Sequence, residues 1–189
     1  MFHYYVSLIQ YEAQPQATSY IPTNGSTQTR AAETCNGAGT SSILPSEEGI
    51  LYAEIAALAD DLTFRLVSVS DGTNNNVVKL GYRSNSNNIY YEVRVSGSAT
   101  AFQLYSTSDI TQFHKVAVKY KVNDFAMWVN GTQVLTDTSG AVPTGLNSVQ
   151  FTRGDSSSIF YGKCKDIRVY NTKEMTDSEV DILLTKITS

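Results

Sequence analysis

The chain has 189 residues, 41% of them hydrophobic, with 14 Lys and Arg against 18 Asp and Glu and a formal net charge of −4. That length supports one hydrophobic core with a short appendage, and the twelve Tyr among many Thr, Ser and Val favour strands over helices. The basic residues stand singly rather than in a cluster interleaved with aromatics, and no apolar run approaches the roughly 20 residues of a spanning helix; nucleic-acid binding and membrane insertion are both excluded as expectations.

Residues 1–16 open with FHYYVSLIQYE, whose aromatic and β-branched content reads as a strand. Ser7 and Gln10 interrupt its apolar stretch and no basic region precedes it, which makes it a poor signal peptide. A strand with unpaired backbone groups is a template for a neighbour's sheet. Tyr4, Tyr5, Val6 and Leu8, joined by Tyr20, are therefore the candidate assembly residues of a homo-oligomer; the alternative is that the strand adds to its own sheet edge. Residues 17–46 form an extended connector and loop. ATSYIPTNGSTQTRAAE has no apolar period of 2 or 3.6, and Pro22 forbids helix continuation.

Residues 47–189 form the main domain. Strands are expected at 50–57, 64–70, 77–82, 88–95, 101–105, 114–122, 125–130, 132–135, 145–152 and 160–170, separated by turn signals at roughly ten-residue spacing, the rhythm of a sandwich. On 114–122, Val116, Val118 and Tyr120 face one side, while Lys115, Ala117, Lys119 and Lys121 form a wet face. Asn130-Gly131 is the strongest hairpin signal, because a type I′ turn needs two positive φ angles. Thr176-Asp177-Ser178-Glu179 has the form of a capping box. It starts a short helix, 177–186, that should bury Val180, Leu183, Leu184 and Ile187.

Retaining glycosidases place two carboxylates about 5 Å apart. No run of alternating acids exists here, Glu54 and Glu92 stand alone, and His3 and His114 belong to no nucleophile motif. The chain is expected not to be an enzyme. Cys35 and Cys164 are too few for a disulfide framework and lie in no metal spacing. They read as reduced thiols, with a single Cys35–Cys164 bridge as the alternative. No cofactor is expected. The one candidate metal site is Asp71 with Asn74, hard oxygen donors suited to Ca²⁺, set against a plain Asn- and Gly-rich turn.

Sugars have apolar faces ringed by hydroxyls, so their binding surfaces combine aromatic platforms with amide and carboxylate hydrogen-bonders. Tyr82, Asn85, Asn88 and Tyr90 supply both types within one hairpin, and Trp128 is the lone tryptophan. These five are the candidate glycan contacts. Burial of Trp128 in the core, and plain strand-forming roles for Tyr82 and Tyr90, are the competing readings.

The TSYIPT segment and the Thr/Arg-rich step after it resemble a junction in tailed-bacteriophage structural proteins that leads into a concanavalin-like, laminin-G-like jelly roll. EEGILYAEI (47–55), FRLVSVSDGTNNN (64–76), FAMWVNGTQVLTD (125–137) and YGKCKDIRVYNTKEMTDSEVDILL (161–184) resemble that family's opening strands, hairpin, and closing strand with helix. VSLIQYEAQPQATSYIPT is similar to the last strand of a module preceding this domain in longer fibre proteins. The resemblance implies an all-β, two-sheet antiparallel jelly-roll sandwich with an N-terminal strand or arm and a short C-terminal helix. It also implies a non-enzymatic virion protein of tail-fibre, head-fibre or decoration type, made in the bacterial host cytoplasm and partnered by other virion subunits. Such a protein would bind host surface glycans through oligomeric avidity. The alternatives are a carbohydrate-binding module of a bacterial polysaccharide-degrading enzyme and a capsid-cementing protein without ligand.

Overall fold

The computed structural model describes residues 39–189. Tyr4, Tyr5, Val6, Leu8, Tyr20 and Cys35, and with them the assembly surface and the disulfide alternative, lie outside the described residues. Ten strands and one helix follow in order: β1 (Gly49–Ala57), β2 (Arg65–Ser70), β3 (Val77–Tyr82), β4 (Asn88–Val95), β5 (Ser98–Ser106), β6 (His114–Lys121), β7 (Asp124–Val129), β8 (Thr132–Asp137), β9 (Ser148–Gln150), β10 (Gly162–Asn171) and α1 (Asp177–Thr188). They form two five-stranded antiparallel sheets, ordered β10-β1-β6-β7-β8 and β5-β4-β3-β2-β9. This is the all-β sandwich with one C-terminal helix that the strand rhythm implies.

Alternation along the strands makes the core. Leu51, Ala53 and Ile55 of β1, Val67 and Val69 of β2, Val78, Leu80 and Tyr82 of β3, Ile89, Tyr91 and Val93 of β4, and Val116 and Val118 of β6 meet between the sheets. Each large apolar side chain buried there contributes about 1.5–3 kcal/mol. The opposite face of the first sheet is not simply wet. Ile50, Tyr52, Ala117, Ala126 and Trp128 lie beneath α1 and meet Val180 and Leu184, with Leu183 and Ile187 packed at the margin. The expected wet face of β6 is thus corrected at Ala117, which the helix covers. Lys119 and Lys121 reach past it to Asp124 and to Glu48 and Asp177.

The helix start follows the capping-box chemistry. The Thr176 amide donates to Glu179 Oε2 at 2.8 Å, and the Glu179 amide donates to Thr176 Oγ1 at 3.4 Å. Its end is held by the hairpin below: the Gly131 amide donates to Thr188 Oγ1 at 3.1 Å. Asn130 and Gly131 have φ of 48° and 80°, as the type I′ turn requires. The strand expected at 145–152 shortens to three residues, because the chain turns at Gly154 and folds back over Ser70. The Leu66 amide then donates to Ser158 O, which fastens the β9–β10 loop against β2.

Candidate carbohydrate-binding face

The register of the β3–β4 hairpin decides which candidate residues can act together. Tyr82 pairs with Ile89, and Gly81 pairs with Tyr90. Residues directly opposite share a face, and neighbours along a strand alternate. Tyr82 therefore points between the sheets and Tyr90 points out of them.

Two candidate contacts are corrected on this ground. Tyr82 is 1% exposed and stacks on Phe160 at 6.2 Å inside the sandwich. Trp128 is 3% exposed beneath α1. Neither ring is presented to a ligand. Asn85 sits in the exposed turn between β3 and β4. Asn88 shares the outward side with Tyr90, and its amide is held by Ser86 O at 2.6 Å and by the Ser106 hydroxyl at 3.3 Å.

The outer face of the second sheet carries more than the hairpin alone showed. Tyr90 is buried there as the floor of an aromatic cluster, with Phe64 edge-on at 6.4 Å and Phe102 tilted at 5.9 Å. Phe64 and Phe102 themselves remain 40% and 39% exposed, and Leu104 lies beside them. Arg83 sits over all three rings. Its guanidinium carbon is 5.5 Å from the Phe64 and Tyr90 centroids and 5.0 Å from that of Phe102. The Arg83 Nε is buried without a hydrogen-bond partner.

A polar row crosses the same face: Gln150, Ser68, Lys79 and Glu92 are successive register partners, ending at Phe102. Lys79 is almost fully buried, with Nζ 3.1 Å from Glu92 and 2.7 Å from Asn74 Oδ1. Burial lowers its pKa, and the Glu92 carboxylate pulls in the other direction. Arg94 approaches Glu92 at 2.7 Å from the far side. Arg153, in the β9–β10 loop, pairs with Asp155 at 2.7 Å and lies within electrostatic reach of Tyr90 and Glu92. The face thus carries four cations, Lys79, Arg83, Arg94 and Arg153, against the carboxylates of Glu92 and Asp155. It is a basic patch on a chain whose net charge is −4. Gly81 lies in its middle at a φ of 146°, where a Cβ would run into the Arg65 carbonyl oxygen.

The other candidates resolve into structural roles. Asp71 accepts from the Thr73 amide and hydroxyl at 2.9 and 2.6 Å and from Asn76 Nδ2 at 2.8 Å, while Asn74 Oδ1 accepts from the Lys79 ammonium. The pair offered for Ca²⁺ is committed to a turn and to a protein cation. The described residues hold no group of three or more His, Cys, Asp or Glu placed for a metal. Glu54 pairs with Lys165 at 3.0 Å. The His114 ring bonds Thr107 and the Gln112 carbonyl oxygen. Cys164 lies on β10 with its thiol directed at Asp166 O. No helix among the described residues is long and apolar enough to cross a membrane.

Sequence reasoning missed Phe64, Phe102, Lys79, Glu92, Arg94 and Arg153 as partners in one surface. Arg83 lies in the same hairpin as Tyr90, but its other two rings come from elsewhere, Phe64 from just before β2 and Phe102 from β5.

Residues 51–181 match the family described as the concanavalin A-like lectin/glucanases superfamily. No curated protein sequence matches the chain. Among solved structures, the CBM40 module of the Ruminococcus gnavus IT-sialidase, bound to α2,3-sialyllactose, is similar with a TM-score of 0.59 at 19% identity, over 84% of this chain and 97% of that one. The CBM66 carbohydrate-binding module from Bacillus subtilis aligns with a TM-score of 0.50 at 10% identity, over 69% and 78%. The botulinum neurotoxin serotype D/C binding domain aligns at 0.52 and 15% identity, over 76% of this chain and 37% of that one. At such identities the likeness is one of fold, and the family match is what identifies the domain: the chain belongs to the concanavalin A-like lectin/glucanase superfamily.

Proposed function

We propose that the chain is a non-enzymatic carbohydrate-binding module that holds an acidic sugar on the outer face of the β5-β4-β3-β2-β9 sheet. The observation that carries this reading is Arg83, a guanidinium set over three aromatic rings, with a buried and unpartnered Nε and no carboxylate partner among the described residues. The exposed Phe102 and Phe64 rings offer an apolar platform for a pyranose face. A carboxylate on that sugar meets the planar donor fork that Arg supplies and Lys does not. Carbohydrate-binding modules among the similar folds, one of them bound to sialyllactose, support the same reading. Glu54 and Glu92 are each neutralised by cations, which suits binding better than acid–base chemistry.

This order reverses the two readings of the sequence: the carbohydrate-binding module stands ahead of the virion structural protein. Virion location, subunit partners and oligomeric avidity rest on the phage resemblance, whose distinctive segment lies outside the described residues. The test is a glycan array with matched acidic and neutral members, sialyllactose against lactose and glucuronides against glucosides, probed with the whole chain and with Phe102→Ala. Binding to acidic members, lost in the variant while its melting temperature stays within a few degrees, is expected. Absence of binding to every glycan refutes the module reading, and equal binding to acidic and neutral members refutes the acidic specificity.

A further inference from the structure

Phe64 has two sides. One meets Tyr90 and Arg83 on the sheet face, and the other walls a separate cleft between the β1–β2 and β9–β10 loops. That cleft has a volume of about 510 Å³, inside the range of roughly 300–1,000 Å³ for small-ligand pockets. Asp61 and Thr63 line it from the first loop and Arg65 from the start of β2, facing Ser156, Ser157, Ser158, Ile159 and Tyr161 of the second loop. We infer that this cleft is a second sugar subsite, taking the saccharide unit next to the acidic one, so that the ligand is an oligosaccharide crossing Phe64.

Three observations carry the inference, which rests on the carbohydrate reading of the sheet face. First, the cleft pairs aromatic surface with hydroxyls. Tyr161 is 62% exposed and Ile159 46%, large apolar side chains left in water beside a run of three serines. Second, its polar groups are held in place. The Asp61 carboxylate accepts from the Thr63 amide and hydroxyl at 3.2 and 2.7 Å and pairs with Arg65, whose other nitrogen donates to Ala59 O at 2.7 Å. The Ser157 hydroxyl and amide are fixed on Asp155, the partner of Arg153 on the sheet face. Third, both lips hold non-glycine residues in the left-handed region: Leu62 at φ 61° on one, Ser156 at 62° and Ser158 at 51° on the other. Backbone held in this region is strained for residues with a Cβ, and strain of this kind concentrates at ligand sites. Asp155 and Phe64 tie the two surfaces into one track.

The experiment compares short and long probes on the whole chain: N-acetylneuraminic acid against sialyllactose, and glucuronic acid against a hyaluronan tetrasaccharide. Titration calorimetry is run on wild type, Tyr161→Ala and Phe102→Ala. At least one oligosaccharide should bind about tenfold more tightly than its acidic monosaccharide, a difference of about 1.4 kcal/mol. Tyr161→Ala should abolish that advantage and leave monosaccharide affinity unchanged, whereas Phe102→Ala weakens both. Tyr161 is exposed enough for its removal to spare the fold, which a thermal melt checks. Equal affinity for short and long probes, or a length advantage that survives Tyr161→Ala, overturns the second subsite and leaves the sheet-face reading standing. No affinity for any of the four probes overturns both.

Discussion

Replacing Arg83 with Gln separates a binding residue from a structural one, because the two roles predict opposite balances of stability and affinity. The Arg83 guanidinium lies 5.0–5.5 Å from three ring centroids, and cation–π contacts at partly exposed sites contribute about 0.5–1 kcal/mol each. Against this, its Nε is buried without a partner, at a cost of about 1–3 kcal/mol. The two contributions are similar in size and opposite in sign. Arg83→Gln should therefore shift stability by no more than about 1 kcal/mol, read as a small change in urea midpoint at constant slope. The affinity for an acidic glycan should change far more. A charge-assisted hydrogen bond contributes about 1.5–3 kcal/mol, so its loss raises Kd by roughly ten- to a hundredfold. Arg83→Lys, which keeps the charge and loses the fork, should fall between. Calorimetric titration with sialyllactose and with glucuronides measures this directly. A loss of more than about 2 kcal/mol in stability with affinity untouched would refute the argument, since Arg83 would then be a brace for the aromatic cluster.

Trp128→Ala should cost about 3–5 kcal/mol by urea denaturation, because it empties the floor beneath α1, while glycan affinity measured below the melting temperature stays at the wild-type value. Tyr91→Phe should be neutral or should stabilise by up to about 1 kcal/mol, because it removes a buried hydroxyl that has no hydrogen-bond partner; a clear loss of stability would show that the hydroxyl is satisfied in solution. Thr176→Ala removes the helix cap and should cost about 1 kcal/mol at neutral pH. Acid should destabilise the domain. Asp61 and Asp109 are held below the ordinary carboxylate range by the hydroxyls of Thr63 and Thr111, Asp155 by Arg153, and Glu179 by the Thr176 amide. Folded values below unfolded ones mean that the stabilisation is complete above about pH 4–5 and is lost as pH falls through the folded values. A melting temperature flat between pH 5 and pH 2 would contradict this.

The sandwich was legible because its signals are local. β3 and β4 fall at 77–82 and 88–95 as the alternation implies, and the capping box and Asn130-Gly131 turn form as their chemistry dictates. Strand ends were less legible where pairing decides them. β9 is an edge strand with three partners on β2, so the apolar run around it continues past the ladder into the loop that folds over Ser70. The wet face of β6 was misread at Ala117 because nothing local says where a helix some 60 residues further on will dock.

The site depended on a single register. Had Tyr82 paired with Tyr90 instead of Ile89, both rings would share one face and the hairpin would read as a single platform. A one-residue slip exchanges every side chain between faces. The turn joining β3 and β4 has no two-residue Asn-Gly signal to pin that register; it is a longer run, Arg83-Ser84-Asn85-Ser86-Asn87, with Asn87 alone at positive φ. Residue type was therefore readable and side was not: Asn88 and Tyr90 face outward while Tyr82 is core. The rest of the surface is assembled across the sheet, with Phe64 just before β2, Phe102 on β5 and Arg153 beyond β9 brought around Arg83 by four separate pairings. A basic patch built from single arginines far apart in sequence leaves no cluster to read. Charge that is scattered along the sequence, with no basic cluster to read there, is the same charge that the second sheet gathers on one face.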